Sequence, residues 1–407
     1  MWNWETRVVR FGWVCAFVLL FGDSFLLAQP AVSHKPANQA VQTALALEQQ
    51  GKIVEAEAAW KLVIKDDPHN AGAFAQLGLL AAHQEHYAQA VAYYRQARAL
   101  KPGLPNLDLN LGLALFKSEQ FAEAAKVFET ELTNHPNSSN TQRLTILAGM
   151  SEYALQHYSI AARYLKIAAV QDKQNLPLRL TLAHCYLWTK QYQETLAVYK
   201  EILAIDSNSA EADMLAGEAM DGMHETDGAI QQFRAAERAN PKEPNVHFGL
   251  GYLLWTQKNY PEAIAEFNAE LANDPQSSSS LIYLGDTYVR LSQFDEAKVF
   301  LEKAAALPTK DPLLHLDLGI VYAETDDKEN AVKQLSQAAA MEPDNVAAHF
   351  RLAKVYQSMG RKEEAKVEFA KASSLNKKTD AGLYQRITEA GAGPARDTKS
   401  SAQDTPQ

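Results

Sequence analysis

The chain has 407 residues, 47% of them apolar and 22% charged, with a formal net charge of −10. That balance is ordinary for a soluble folded protein. It argues against nucleic-acid binding, which needs a basic stripe to neutralise phosphates, and no run of Lys and Arg supplies one.

Arg7 and Arg10 precede the apolar run Phe11 to Gly22, after which come Asp23-Ser24 and Phe25-Leu26-Leu27-Ala28-Gln29. A basic flank, a short apolar core and a small residue at its end predict a secretory signal over residues 1–28, cleaved after Ala28. The rival reading is an uncleaved membrane anchor over residues 11–28, at the short limit for a spanning helix and with Asp23 inside it. The expected location is therefore exported, periplasmic or secreted, with membrane contact only if that segment is retained. Cys15 lacks the Leu-small-small triplet of a lipid-modified signal. Cys185 would be the sole cysteine of the mature chain, which rules out an intramolecular disulfide and suggests a small buried core residue. Residues 29–36 read as a linker.

From about residue 37 to about 379 the chain repeats every 34 residues. Leu77-Gly78, Leu111-Gly112, Leu250-Gly251, Leu284-Gly285 and Leu318-Gly319 fall in register. Twelve residues after each Gly stands Ala90, Ala124, Ala263, Ala297 or Ala331, and four further on Tyr94, Phe128, Phe267, Leu301 or Leu335. Pro102, Pro136, Pro275 and Pro343 close most copies. Each copy holds two stretches of helical period joined by a short polar turn, as Phe74, Leu77, Gly78 and Ala81 precede Tyr87, Ala90, Val91, Tyr94 and Ala97. Gly78 and Ala90 are small where two helix axes would approach closely, with Tyr94 filling the space beside them.

Ten copies begin at Ala37, Ala71, Pro105, Gln142, Leu176, Ala210, Pro244, Ser278, Pro312 and Val346. The first has the weakest first helix, the fourth follows a three-residue insertion near Asn137 to Asn140, and Thr195 replaces the small Ala of the fifth. Asp380 can cap a last helix at 380–390, with Leu383 and Ile387 one turn apart, covering the final copy. Residues 391–407 contain no large apolar side chain and read as a disordered tail.

This pattern resembles the tetratricopeptide repeat family, whose signature is W-x2-L-G-x2-Y, then A-x3-F, A and P. The resemblance covers residues 37–379 and implies an all-α fold: a right-handed α-solenoid superhelix of about ten helix-turn-helix repeats with a C-terminal capping helix. It further implies that first helices line a concave groove through the second, fifth, ninth, twelfth and thirteenth positions. Those positions supply Leu109, Leu113, Phe116, Met150, Tyr153, His184, Trp188, Phe248, Tyr252, Trp255, Asp286 and Arg290. The leucines suit either a binding surface or packing between neighbouring first helices. Trp188, Tyr252 and Trp255 read as anchors for a partner, because aromatic side chains dominate interface energetics.

The fifth position carries no Lys anywhere along the stack, which argues against a clamp for the C-terminal carboxylate of heat-shock chaperones. Glu211, Glu218, Asp221, Asp286 and Glu324 suit a basic partner segment, or simply a solvated acidic face. No Walker loop, dinucleotide-binding glycine set, nucleophile elbow or His-Glu-x-x-His is present, and the pair His83 and His86 lacks a third metal ligand. The expectation is an exported, non-catalytic scaffold or adaptor with a protein or peptide partner, no cofactor, no metal and no nucleic acid. An envelope assembly or secretion factor holding clients, or a non-catalytic subunit of an envelope enzyme, is the alternative.

Overall fold

A computed structural model describes residues 37–391, with side chains described over 39–378. The expected signal segment, the linker and nearly all of the tail lie outside the described residues. Every regular element described is an α-helix. Paired by repeat, they are α1 Ala37–Gln49 with α2 Ile53–Asp66, α3 Ala71–His83 with α4 Tyr87–Leu100, α5 Leu107–Lys117 with α6 Phe121–Asn134, and α7 Thr141–Ala154 with α8 Tyr158–Gln171. There follow α9 Leu176–Trp188 with α10 Tyr192–Leu203, and α11 Ala210–Gly222 with α12 Thr226–Ala239. The last four pairs are α13 Val246–Thr256 with α14 Tyr260–Asn273, α15 Ser278–Arg290 with α16 Phe294–Ala305, α17 Pro312–Glu324 with α18 Lys328–Met341, and α19 Val346–Ser358 with α20 Lys362–Gly391. The chain divides between Ala239 and Asn240 into two compact bodies, holding repeats one to six and seven to ten.

The turn inside each repeat is made by one backbone device. The fifteenth residue adopts left-handed φ in all ten copies: Gly51, Glu85, Glu119, Gln156, Lys190, His224, Lys258, Ser292, Asp326 and Gly360. In the seventh repeat the Asn259 N–H donates to the Leu254 carbonyl and the Lys258 N–H to that of Trp255, each at 2.9 Å. This Schellman arrangement satisfies carbonyls that the end of a helix would otherwise leave without partners. First helices start on a side-chain cap in most repeats: Asn70, Asn175, Ser209, Ser277, Asp311 and Asn345 each accept a backbone N–H two or three residues on.

The small residue of the first helix faces the large one of the second, sixteen positions later. A Cβ on Gly112 would lie 2.3 Å from the Phe128 ring, and one on Gly251 would lie 2.8 Å from Phe267. The Gly therefore makes room for an aromatic or Leu side chain laid across its Cα, and Phe128 and Phe267 are wholly buried there. Burying such a ring stabilises each pair by about 1.5–3 kcal/mol. Thr195 is buried where other repeats carry Ala, and its hydroxyl donates to the Gln191 carbonyl at 3.1 Å, so no polar atom is orphaned. Burial pushes the thiol of Cys185 far up, in keeping with a core cysteine.

The fourth position forms a polar socket under the inter-repeat loop. His247 faces the Glu266 carboxylate through Nδ1 at 2.7 Å and the Pro241 carbonyl through Nε2 at 3.0 Å. His349 repeats this three copies later with Glu368 and Pro343. Arg179 does related work, its guanidinium donating to the carbonyls of Asp172 and Ala169 and to Glu201.

The expected separate capping helix is corrected by the structure. Asp380 lies inside α20, which runs without a break from Lys362 to Gly391. No Gly or Pro occurs between Lys362 and Asp380 to end the helix, and Asn376-Lys377-Lys378-Thr379 does not supply a turn. An N-cap residue needs a preceding break, and here there is none.

Candidate functional site

In the N-terminal body, Leu109, Leu113, Phe116, Met150 and Tyr153 are buried. They belong to one continuous apolar core, where Phe116 meets Phe121 edge to face with ring centroids 5.3 Å apart. The expectation that these positions line an open surface is therefore corrected. Neighbouring first helices cover one another, so the leucines take the packing role. His184 and Trp188 remain half-buried. Trp188 stacks on Tyr158, with centroids 5.7 Å apart and planes at 15°, and Tyr158 meets Tyr153 edge-on. His184 Nε2 lies 3.0 Å from the Glu211 carboxylate. Further along α11, burial raises the Asp221 carboxyl above its ordinary range, against the pull of His224.

In the C-terminal body, Phe248, Tyr252 and Asp286 are buried, which removes Tyr252 as an exposed anchor. The reason is the next first helix: Tyr283 of α15 presents its ring edge-on to Tyr252 at 5.4 Å and to Trp255 at 5.1 Å. Trp255 itself stays half-buried and Arg290 keeps 42% of its side chain exposed. Trp255 Nε1 donates to Asp286 Oδ2 at 2.6 Å, and Arg290 Nε donates to the same oxygen at 2.5 Å. The guanidinium lies over the indole with its Cζ 4.6 Å from the ring centroid, a cation–π contact. Tyr252 also stacks on the indole, with centroids 5.9 Å apart and planes at 22°, so a half-buried indole and a part-exposed guanidinium are fixed side by side.

Behind this group lies Asp317, which no sequence motif singles out. Its side chain is buried and its Oδ2 has no hydrogen-bond partner among the described residues. Burial raises its carboxyl well above the usual range, and the negative Asp286 adds to this against Arg290. Tyr158, Tyr283 and Asp317 all sit outside the five groove positions, so a position-by-position reading passes over them.

Repeats nine and ten hold a further surface. Leu313, Leu316, Ile320 and Ala323, spaced three, four and three residues apart on one face of α17, are half-buried. Phe350 of α19, one repeat after Leu316, is 42% exposed. The Lys354 ammonium lies 5.2 Å from its ring centroid, and Arg351 pairs with Glu324 at 3.5 Å. These residues were legible at the same positions one and two copies further along.

Models of the tetratricopeptide repeat match residues 41–105, 153–219, 215–278, 279–311 and 324–387. The chain belongs to the tetratricopeptide repeat family. It is 23% identical over 305 residues to the Protein CTR9 homolog of Arabidopsis thaliana, covering 72% of this chain and 28% of that protein. Tetratricopeptide repeat protein 21A of Mus musculus is 22% identical over 273 residues, covering 61% of this chain and 21% of that one. The chain spans roughly a quarter of the length of these curated relatives. Among solved structures, a tetratricopeptide repeat protein from Parabacteroides merdae ATCC 43184 is similar at TM-score 0.48 and 17% identity, over 61% of this chain and 97% of that one. YrrB, described as a TPR protein with an unusual peptide-binding site, is similar at TM-score 0.39 and 20% identity, over 46% of this chain and 96% of its own.

Proposed function

We propose that this tetratricopeptide repeat protein is a non-catalytic scaffold that acts after export and holds a segment of a protein partner on its first-helix surfaces. The observation that carries the reading is the Trp255–Asp286–Arg290 group, in which internal bonds fix a half-buried indole and a part-exposed guanidinium side by side. A rigid aromatic beside a held charge loses little side-chain entropy on binding, which favours it as an anchor. Trp188, stacked on Tyr158, is a second fixed, half-buried aromatic in the other body. Export rests on the basic-apolar-small order of residues 1–28.

The test is capture of partners from an envelope extract by wild type and by a Trp188→Ala, Trp255→Ala double variant. Tyr252 is left intact because it is core. Loss of captured proteins with unchanged helicity supports the scaffold. Retention of every one of them, with the variant folded, contradicts it. N-terminal sequencing of exported protein tests the signal: a start at Gln29 supports cleavage, and a start at Met1 contradicts it.

A further inference from the structure

The fifth position of the repeats records how first helices cover one another in the C-terminal body. Phe248 and Ile282 are buried, Leu316 is half-buried and Phe350 is exposed. In repeats seven and eight a following first helix lies over this position. After repeat ten none follows among the described residues, because α20 runs straight on to Gly391. The result is a partly open apolar strip: on α17 Leu313, Leu316, Ile320 and Ala323 are half-buried, three of them packed in part on the neighbouring cores, and on α19 Phe350, its ring edge-on to Phe369 of α20, is exposed.

The charges around that face are not symmetrical. Arg351 already engages Glu324. Lys354 stands over the Phe350 ring and pairs with no carboxylate among the described residues. On a chain of net charge −10, the rim of this apolar strip therefore offers an uncompensated cation. A basic segment laid along the strip would repel Lys354, whereas an acidic one would neutralise it.

We infer that the first-helix face of repeats nine and ten docks a partner segment in which apolar side chains alternate with Asp or Glu. The inference rests on the scaffold reading above and adds the chemistry of the partner. Leu313 to Ala323 spans about 15 Å of helix axis, room for roughly four to five extended residues of such a segment. Apolar side chains of the segment lie on Leu316, Ile320 and Phe350, and a carboxylate reaches the Lys354 ammonium.

Fluorescence anisotropy of the full chain tests this with two labelled synthetic peptides that share the same Leu and Phe residues, one bearing Glu and the other Lys between them. The Glu peptide is expected to bind, and the Lys peptide to bind at least about tenfold more weakly, the scale of a reversed charge at an interface rim. Lys354→Glu is expected to erase or invert that preference. Phe350→Ala is expected to weaken both peptides with helicity unchanged, and Val170→Ala, exposed on a second helix of the other body, to leave the preference intact. Equal binding of the two peptides, or indifference of the preference to Lys354→Glu, overturns the inference. So does self-association in sedimentation that Phe350→Ala abolishes, since the occupant is then a second copy of the chain. If the docking assay fails while the Trp188, Trp255 variant loses its partners, the scaffold stands and only the inference falls. Failure of both removes the scaffold as well.

Discussion

Asp317 is the residue least at ease in the C-terminal body. Its raised carboxyl means that the folded chain holds this proton more tightly than the unfolded chain does. Its contribution to stability is thus fully present below the ordinary carboxylate range and is lost as pH rises through the folded-state value. At neutral pH an orphaned buried polar group of this kind costs about 1–3 kcal/mol. Asp317→Asn is predicted to raise the melting temperature at pH 7, with the gain shrinking as the pH approaches 4. A lower melting temperature for the variant at pH 7 would show that the carboxylate has a stabilising partner. A second residue-scale prediction concerns the Gly that admits a ring. Gly112→Ala places a Cβ against Phe128 and is predicted to destabilise by about 1–3 kcal/mol in urea unfolding, as overpacking does. Phe128→Leu in the same background should recover part of that loss, and purely additive effects would exclude direct contact as the cause.

At the scale of the element, the period and its Leu-Gly, Ala and large apolar marks were readable because they recur in register. The helix pairs, the buried Cys185 and the family follow from them. The turn device was not readable. Eight different copies place Glu, Gln, Lys, His, Ser or Asp at the left-handed position, and only Gly51 and Gly360 carry the residue that geometry prefers. A side chain there costs about 1 kcal/mol relative to Gly. Lys258→Gly is therefore predicted to stabilise the C-terminal body by about 0.5–1 kcal/mol, read from the urea midpoint. Destabilisation would mean that the Lys258 side chain makes a contact worth more than the strain. The break expected before Asp380 also failed at this scale, because a lone N-cap residue with no Gly or Pro before it does not end a helix.

For the molecule as a whole, the candidate site was half legible. Trp188, Trp255 and Arg290 were found from their positions and do reach the surface. Leu109, Leu113, Phe116, Met150, Tyr153, Phe248 and Tyr252 were found by the same rule and are buried. The rule gives direction along a helix but not coverage, which depends on the following first helix. That is why the same positions are buried in the middle of a body, while Phe350 of repeat ten, which no described first helix follows, is exposed. The central claim, that first-helix surfaces hold a protein partner, is tested most directly by site-specific photo-crosslinking in cells that produce the chain. A photoreactive residue at Trp255 or Phe350 is predicted to capture a discrete protein partner, while the same group at Leu62 or Val170, exposed on second helices, captures none. Equal capture from both faces, or capture only from Leu62 and Val170, would contradict the account.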